Sequence, residues 1–381
     1  MDIKTTVAVA LFCLLPQIDS EGEKVAATAD SWPSFRGDTA LTGTTPARPP
    51  EQPALRWTFE ADSGIEASPI IHDNTVYAAS GNGTVYALRL HDGKSLWTFE
   101  TGSGIEAPLL YVKGRIFVGD MDGTLHSLKA DSGRSEWGYS TDAQIRGGAN
   151  WIAGERERLL IGSYDNHIHC VDPAGGERIW TYKTDNYVHG TPGVLGMKVI
   201  IGGCDAMVHV INSKDGTPKA GIDAGSYIAA SPAIRNNFAY IGHYGGEVLG
   251  IDVTAGEVKW RFTPTTEPDS PPAFFSSPAV TATRVIAGGR NGVLYCLART
   301  DGKKIWQFQA RRDIDSSPVV AGDFVLFGSR DGRLYMIRFS DGKEQWSYLL
   351  GSRINATVAV VDGWIVAGAA DGFLYAFGEV E

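Results

Sequence analysis

Residues 92–100 read "DGKSLWTFE", and this stretch decides the fold because it recurs. It returns as "DGKKIWQFQ" at 301–309, as "DGKEQWSYL" at 341–349 and more loosely as "GGERIWTYK" at 175–183. With its Trp as a phase mark, Trp57, Trp97, Trp137, Trp180, Trp260, Trp306 and Trp346 fall in register, with gaps of 40, 40, 43, 80, 46 and 40 residues. The gap of 80 spans two units: "DGTPKAGIDAGS" at 215–226 aligns with "DGKSLWTFETGS" at 92–103 and sets Ala220 where Trp would stand. Eight units of about 40 residues result, a period that marks a repeat architecture.

Within each unit the text is all strand and turn. After the first Trp strand come "ASPIIHD", "TVYAAS", "TVYALRL" and "LWTFE". These runs are short, rich in Val, Ile, Tyr and Phe, and separated by "GNG" or "DG", dipeptides that favour hairpin turns with positive φ. Helical periodicity is not found, which sets aside a stack of helical pairs of the same period. Four antiparallel strands per unit, eight times over, predict an all-β, eight-bladed β-propeller. The chain ends at Glu381 with no ninth Trp strand, whereas "ALRWTFE" at 54–60 is a Trp strand without a blade of its own. It is expected to complete the last blade and close the ring, removing an open edge. Each Trp is expected on the outer strand of a blade, docked against the next blade and burying some 150–250 Å².

The phrases "VYALRLHDGKSLW" (85–97), "LYCLARTDGKKIW" (294–306) and "LYMIRFSDGKEQW" (334–346) resemble the tryptophan-docking repeat of the PQQ-like propellers. That superfamily holds the quinoprotein alcohol dehydrogenases and the B subunit of the outer-membrane β-barrel assembly complex. The likeness covers about residues 55–381. It implies fold firmly and function only through the site, since one fold hosts unrelated tasks. From its relatives it implies either a non-enzymatic scaffold in envelope-protein assembly or a PQQ- or metal-dependent oxidoreductase with its ligand in the central funnel. The dehydrogenases of this superfamily typically have longer chains, an adjacent Cys–Cys pair, and carboxylates and amides around Ca²⁺ and the quinone. Here there is neither a vicinal cysteine pair nor a CxxCH haem site. The expectation is therefore a scaffold without cofactor or metal, PQQ being the alternative.

Composition bounds the partners. The chain has 381 residues, 43% hydrophobic and 20% charged, with a net charge of −10 and no dense Lys/Arg run. A nucleic-acid backbone is a poor match for that surface. "MDIKTTVAVALFCLLPQIDS" at 1–20 has one Lys, an apolar run too short to span a bilayer, then Pro16 and polar residues. It reads as a secretory signal, which places the protein outside the cytoplasm, in the periplasm or cell envelope, with no transmembrane segment. Residues 21–53 form a Pro-, Gly- and Thr-rich extension, more linker than domain, whose Trp32 and Phe35 either dock on the ring or stay free; residues 54–381 form the propeller. Of Cys13, Cys170, Cys204 and Cys296, three remain after the signal, and their wide spacing gives no disulfide framework and no metal knuckle. The molecule is expected to be a monomer.

The repeat also locates a candidate site. Nine residues past each Trp mark, with six more allowed for the insertion "TPTTEPDSPP", stand Glu66, Glu106, Arg146, His189, Ala229, Phe275, Asp315 and Asn355. The next positions are all small, as crowding near the axis requires. The first set should ring the entrance to the inner strands, polar and varied where its neighbours are monotonous. A solvated channel would look the same. The turns between second and third strands open on that face and contribute Met121, Tyr164, Cys204, Tyr244, Arg290 and Arg330, joined by Phe274 and Phe275 at the end of the insertion. Aromatic residues and Arg dominate protein-binding hot spots, so this face is the candidate surface for a protein or peptide, with the plain alternative that these are exposed turn tips. The "HIH" at 167–169 suggests metal, but His126, His169 and His209 share the third-strand slot of Tyr86, Tyr295, Tyr335 and Tyr375, which is a packing position.

Overall fold

The computed structural model describes residues 25–264 and 271–379; the signal proposed for residues 1–20 lies outside them. Among the described residues there is no helix, and the strands form eight four-stranded antiparallel units. Blade 1 comprises Ile70–His72, Thr75–Ala79, Thr84–Arg89 and Ser95–Glu100, running from the axis outward. Blades 2 to 7 repeat it over 110–140, 150–183, 193–223, 233–262, 279–309 and 319–349. Blade 8 consists of Ala359–Val361, Trp364–Gly368 and Phe373–Gly378, and Ala54–Glu60 completes it by pairing with Phe373–Gly378 from Ala54↔Gly378 to Glu60↔Phe373. The earliest full-length strand thus closes the ring, as the count of Trp strands required.

The opening motif docks one blade on the next through two of its residues. The indole N–H of Trp97 donates to Ala130 O of blade 2 at 2.9 Å, and Trp57, Trp137, Trp180, Trp260 and Trp306 reach the equivalent carbonyls of Leu90, Pro173, Ser213, Arg299 and Phe339. Trp346 instead packs edge-to-face on Phe377 of blade 8 at 5.2 Å. The Gly four residues before the outer-strand mark lies against the indole of the preceding blade at Gly93, Gly133, Gly176, Gly216, Gly302 and Gly342. A Cβ on Gly133, at φ 68°, would stand 2.4 Å from Trp97 Cε3, and one on Gly93 would stand 2.7 Å from Trp57. This Gly therefore serves close approach as well as the turn.

The inner strands would leave free edges along the axis, and the segment 25–53 covers them. It is neither linker nor free motif. Trp32 exchanges two backbone hydrogen bonds with Ile71 of blade 1, and Tyr111 N donates to Pro33 O. Asn150 Nδ2 and Val194 N both donate to Thr39 O. Ile234 N, Val280 N and Val320 N then bond to the carbonyls of Ala40, Thr42 and Gly43, and Thr44–Thr45 lies parallel to Val320–Ala321. Asp362 N and Gly363 N of blade 8 bond to Ala29 O and Arg48 O. The segment touches all eight blades and satisfies backbone donors that burial would otherwise orphan. Trp32 and Arg36 are fully buried in it. Arg36 donates at 2.7 Å to both Pro278 O and Pro318 O, and burial lowers its pKa to about 9. One mouth of the central channel is plugged, so the funnel at the other mouth is a blind cup.

Candidate functional site: the open funnel

Local backbone geometry builds the open face. In every blade the amide at the turn between second and third strands bonds to a carbonyl of the incoming crossover: Tyr164 N to Gln144 O, Cys204 N to Tyr187 O, Tyr244 N to Tyr227 O, Arg290 N to Ala273 O, Arg330 N to Asp313 O. Crossovers and turns therefore share one face. Below them a hydroxyl collar joins the blades: Thr191, Ser231, Ser277 and Ser317 each accept from the equivalent amide of the blade before, and Ser68 accepts from Thr357 N. The collar is interrupted at Pro108, which has no N–H, and at Gly148, which has no hydroxyl. Beneath it Phe35 of the plug lines the floor.

Glu66, Glu106, Arg146, His189, Phe275, Asp315 and Asn355 line a cavity of about 480 Å³ at this mouth together with Arg290, Arg330 and Arg353. Its charges are paired around the rim. Asp315, nearly buried, takes a two-pronged contact from Arg290 at 2.8 and 3.0 Å and lies 3.7 Å from Arg330. Glu66 accepts from Arg353 at 3.0 Å and from Asn355 at 2.9 Å, and Glu106 accepts from Arg146. Burial alone would lower the pKa of Arg290, but its hydrogen bond and charge pairing with Asp315 carry it above the usual value. His189 is held neutral: burial, assisted by Arg146, lowers its pKa to about 4. Its Nδ1 meets the Tyr164 hydroxyl at 2.7 Å.

The rest of the face is aromatic. Arg146 lies over the ring of Tyr164 at 5.3 Å, and Arg290 lies over Phe275 at 4.6 Å and Tyr244 at 5.6 Å. Such stacking holds a guanidinium against an apolar wall. Met121 and Cys204 stand at turn tips as the register places them, and burial raises the Cys204 thiol pKa. Phe274 is not on the face. It is fully buried against Tyr295 at 5.9 Å, in the slot that holds Ile65, Ile105, Ile145, Val188, Ile228, Ile314 and Ile354 in the other units. That apolar column was readable in the sequence and assigns Phe274 to the core. Two surface residues escaped the sequence reading: Tyr187 and Tyr227, seven residues past their phase marks, each in a crossover. Their column elsewhere holds Gly64, Gly104, Gln144, Ala273, Asp313 and Arg353, so the aromatic pair was visible as a break in the repeat.

The third-strand histidines pack as their tyrosine counterparts do. His126, His169 and His209 bond to Asp120, Asp165 and Asp205 at 2.7–2.9 Å, just as Tyr335 and Tyr375 bond to Asp331 and Asp371. Asp165, His167 and His169 do bring three ligand atoms within 4.8 Å of one another. However, His169 uses both ring nitrogens, one on Asp165 and one on Tyr139, and His209 does the same with Asp205 and Tyr182 without a second His nearby. Cys170 and Cys296 are buried thiols whose pKa values burial pushes up to about 12.

Among the described residues, no helix is long and apolar enough to cross a membrane. The family model described as outer membrane protein assembly factor BamB matches residues 39–151, 122–290 and 290–379. No curated protein matches the sequence. Among solved structures, BamB from Moraxella catarrhalis is 19% identical with a TM-score of 0.73, covering 86% of this chain and all of that one. Quinohemoprotein alcohol dehydrogenase from Comamonas testosteroni is 14% identical with a TM-score of 0.74, covering 93% of this chain and 81% of that one. The computationally designed protein Ika8 is 17% identical with a TM-score of 0.73, covering 84% and 97%. At these identities the structural likeness speaks for the fold alone.

Proposed function

From the premise that the chain belongs to the BamB family of outer membrane protein assembly factors, we propose that it is an exported, non-enzymatic scaffold. In this reading the funnel face receives a protein or peptide during assembly of envelope or outer-membrane proteins. The observation that carries it is the composition of that face, where Arg146, Arg290 and Arg330 stand with Tyr164, Tyr244 and Phe275 around a blind cup. These are the residue types that anchor protein interfaces, and the plugged ring supplies the rigid support a docking surface needs.

The oxidoreductase reading has less support from the same residues. A Ca²⁺-bound quinone would need six to eight oxygen ligands, carboxylates among them. Glu66, Glu106 and Asp315 are each already bound by an arginine, so the donor set does not fit that group, and no reaction step is assigned to it.

The test is chemical crosslinking in intact envelopes, followed by capture of the protein with its partners. Replacing Arg330 and Arg353, both half-exposed, with Ala should abolish the captured species while the fold stays intact. Undiminished capture by the double variant would remove this face from consideration.

A further inference from the structure

Resting on the reading of the funnel face as a protein-binding surface, the geometry points to a specific docking cleft in one sector of it: we infer that Tyr164, Tyr187, Tyr227, Tyr244 and Phe275 receive a proline-rich segment of a partner in the extended polyproline conformation. The five rings line a cleft of about 410 Å³ spanning blades 3 to 6. Tyr164 and Tyr187 are stacked at 4.7 Å with planes 3° apart, and Phe275 meets Tyr244 edge-on at 6.2 Å. Tyr187, Tyr227 and Tyr244 leave 48%, 60% and 40% of their surface open. The propeller does not require aromatic side chains here, because the same two columns hold Gly64 and Gly81 in blade 1 and Gly104 and Met121 in blade 2. A cluster confined to one sector marks a binding surface.

Hydrogen-bonding capacity identifies the occupant. No carboxylate lines the cleft. The Asn186 amide is closed on itself, its Nδ2 donating to Cys204 O and its Oδ1 accepting from Tyr187 N. His189 Nδ1 and the Tyr164 hydroxyl share a hydrogen bond at 2.7 Å, so neither group is left open to an occupant. The open groups are the remaining guanidinium N–H groups of Arg146 and the hydroxyls of Tyr187, Tyr227 and Tyr244, all of which can donate. An added β-strand would bring amide N–H groups with few acceptors to meet them, and a sugar would need carboxylates or open amides to hold its hydroxyls. A polyproline helix brings carbonyls, no N–H at each Pro, and flat pyrrolidine faces that pack on aromatic rings. It also has little conformational entropy to lose on docking.

The test is isothermal titration calorimetry of the full mature protein with a ten-residue oligoproline, a Gly-Ser peptide of equal length and chitotetraose. Saturable binding of oligoproline alone is expected, weakened about tenfold or more by Tyr187→Ala and by Tyr227→Ala. Tyr227→Phe, which keeps the ring, should fall between wild type and Tyr227→Ala. Both alanine variants change exposed side chains, so unchanged thermal melting is the control for folding. Absence of saturable oligoproline binding, binding indifferent to both substitutions, or preference for chitotetraose would each overturn the inference. The Arg330→Ala/Arg353→Ala protein should still bind oligoproline. Undiminished envelope capture by that variant with oligoproline binding intact removes the scaffold reading of the funnel face alone, and abolished capture without saturable oligoproline binding removes this cleft alone.

Discussion

Replacing Gly133 with Ala isolates the contact that explains the Gly repeated four residues before the outer-strand Trp. Gly133 sits at φ 68°, and a Cβ there would stand 2.4 Å from Cε3 and 2.8 Å from Cδ2 of Trp97. Gly114, two strands earlier in the same blade, has φ 73° and nothing within 4 Å of its would-be Cβ. Both substitutions carry the left-handed backbone cost of about 1–2 kcal/mol. Only Gly133→Ala adds overpacking against a ring that cannot swing away, about 1–3 kcal/mol. The loss of unfolded-state freedom is common to both and cancels in the comparison. Equilibrium urea unfolding should therefore place Gly133→Ala about 1–3 kcal/mol below Gly114→Ala. In a Trp97→Ala background the difference should vanish. Equal stability of the two glycine variants with Trp97 present, or a difference that persists without it, would refute blade docking through this pair.

Three further outcomes follow from the same structure. Deleting residues up to Glu60 removes both the plug and the outer strand of blade 8, and the product should aggregate or fail to fold; unchanged melting and solubility would contradict the closure. His189 has a pKa of about 4 when folded, below its unfolded value, so as pH falls below the unfolded pKa the unfolded chain takes up the proton first. Stability should drop between about pH 6.5 and 4, by up to about 3 kcal/mol from this group. His243, whose pKa burial also lowers, works in the same direction, so the assay is the difference in denaturation between wild type and His189→Gln across that window; parallel curves would contradict the assignment. Titration with PQQ and Ca²⁺ should give no saturable micromolar binding, and binding lost on Arg146→Ala would move the site to quinone chemistry.

The ring was legible in the sequence because it is periodic. One Trp register gives the blade number, the closing strand and the face on which crossovers and turns meet, and it places Glu66, Arg146, His189 and Asp315 around one mouth. The plug was not legible because it is used once. Its path across eight inner strands needs positive φ at Arg36, Gly37, Leu41 and Gly43, and it buries a guanidinium on two carbonyls; a Gly- and Pro-rich composition describes such a path and a loose linker equally. Phe274 shows the opposite case. Its column is Ile or Val in every other unit and lies one residue before the ring column that holds Phe275, so the six-residue allowance for the insertion already sets Phe274 in the core. Side-chain pairing is a third kind of information. That Glu66, Glu106 and Asp315 each face an arginine across a blade boundary depends on which blades adjoin, and spacing alone does not state the rotamers.

The most direct measurement is site-specific photocrosslinking in the cell envelope, with the reactive group placed at Tyr244 in the funnel face or at Lys94 in a "DG" turn on the opposite face. A protein-binding funnel face gives a discrete partner adduct from Tyr244 and none from Lys94. Adducts from Lys94 with a silent Tyr244 would contradict it.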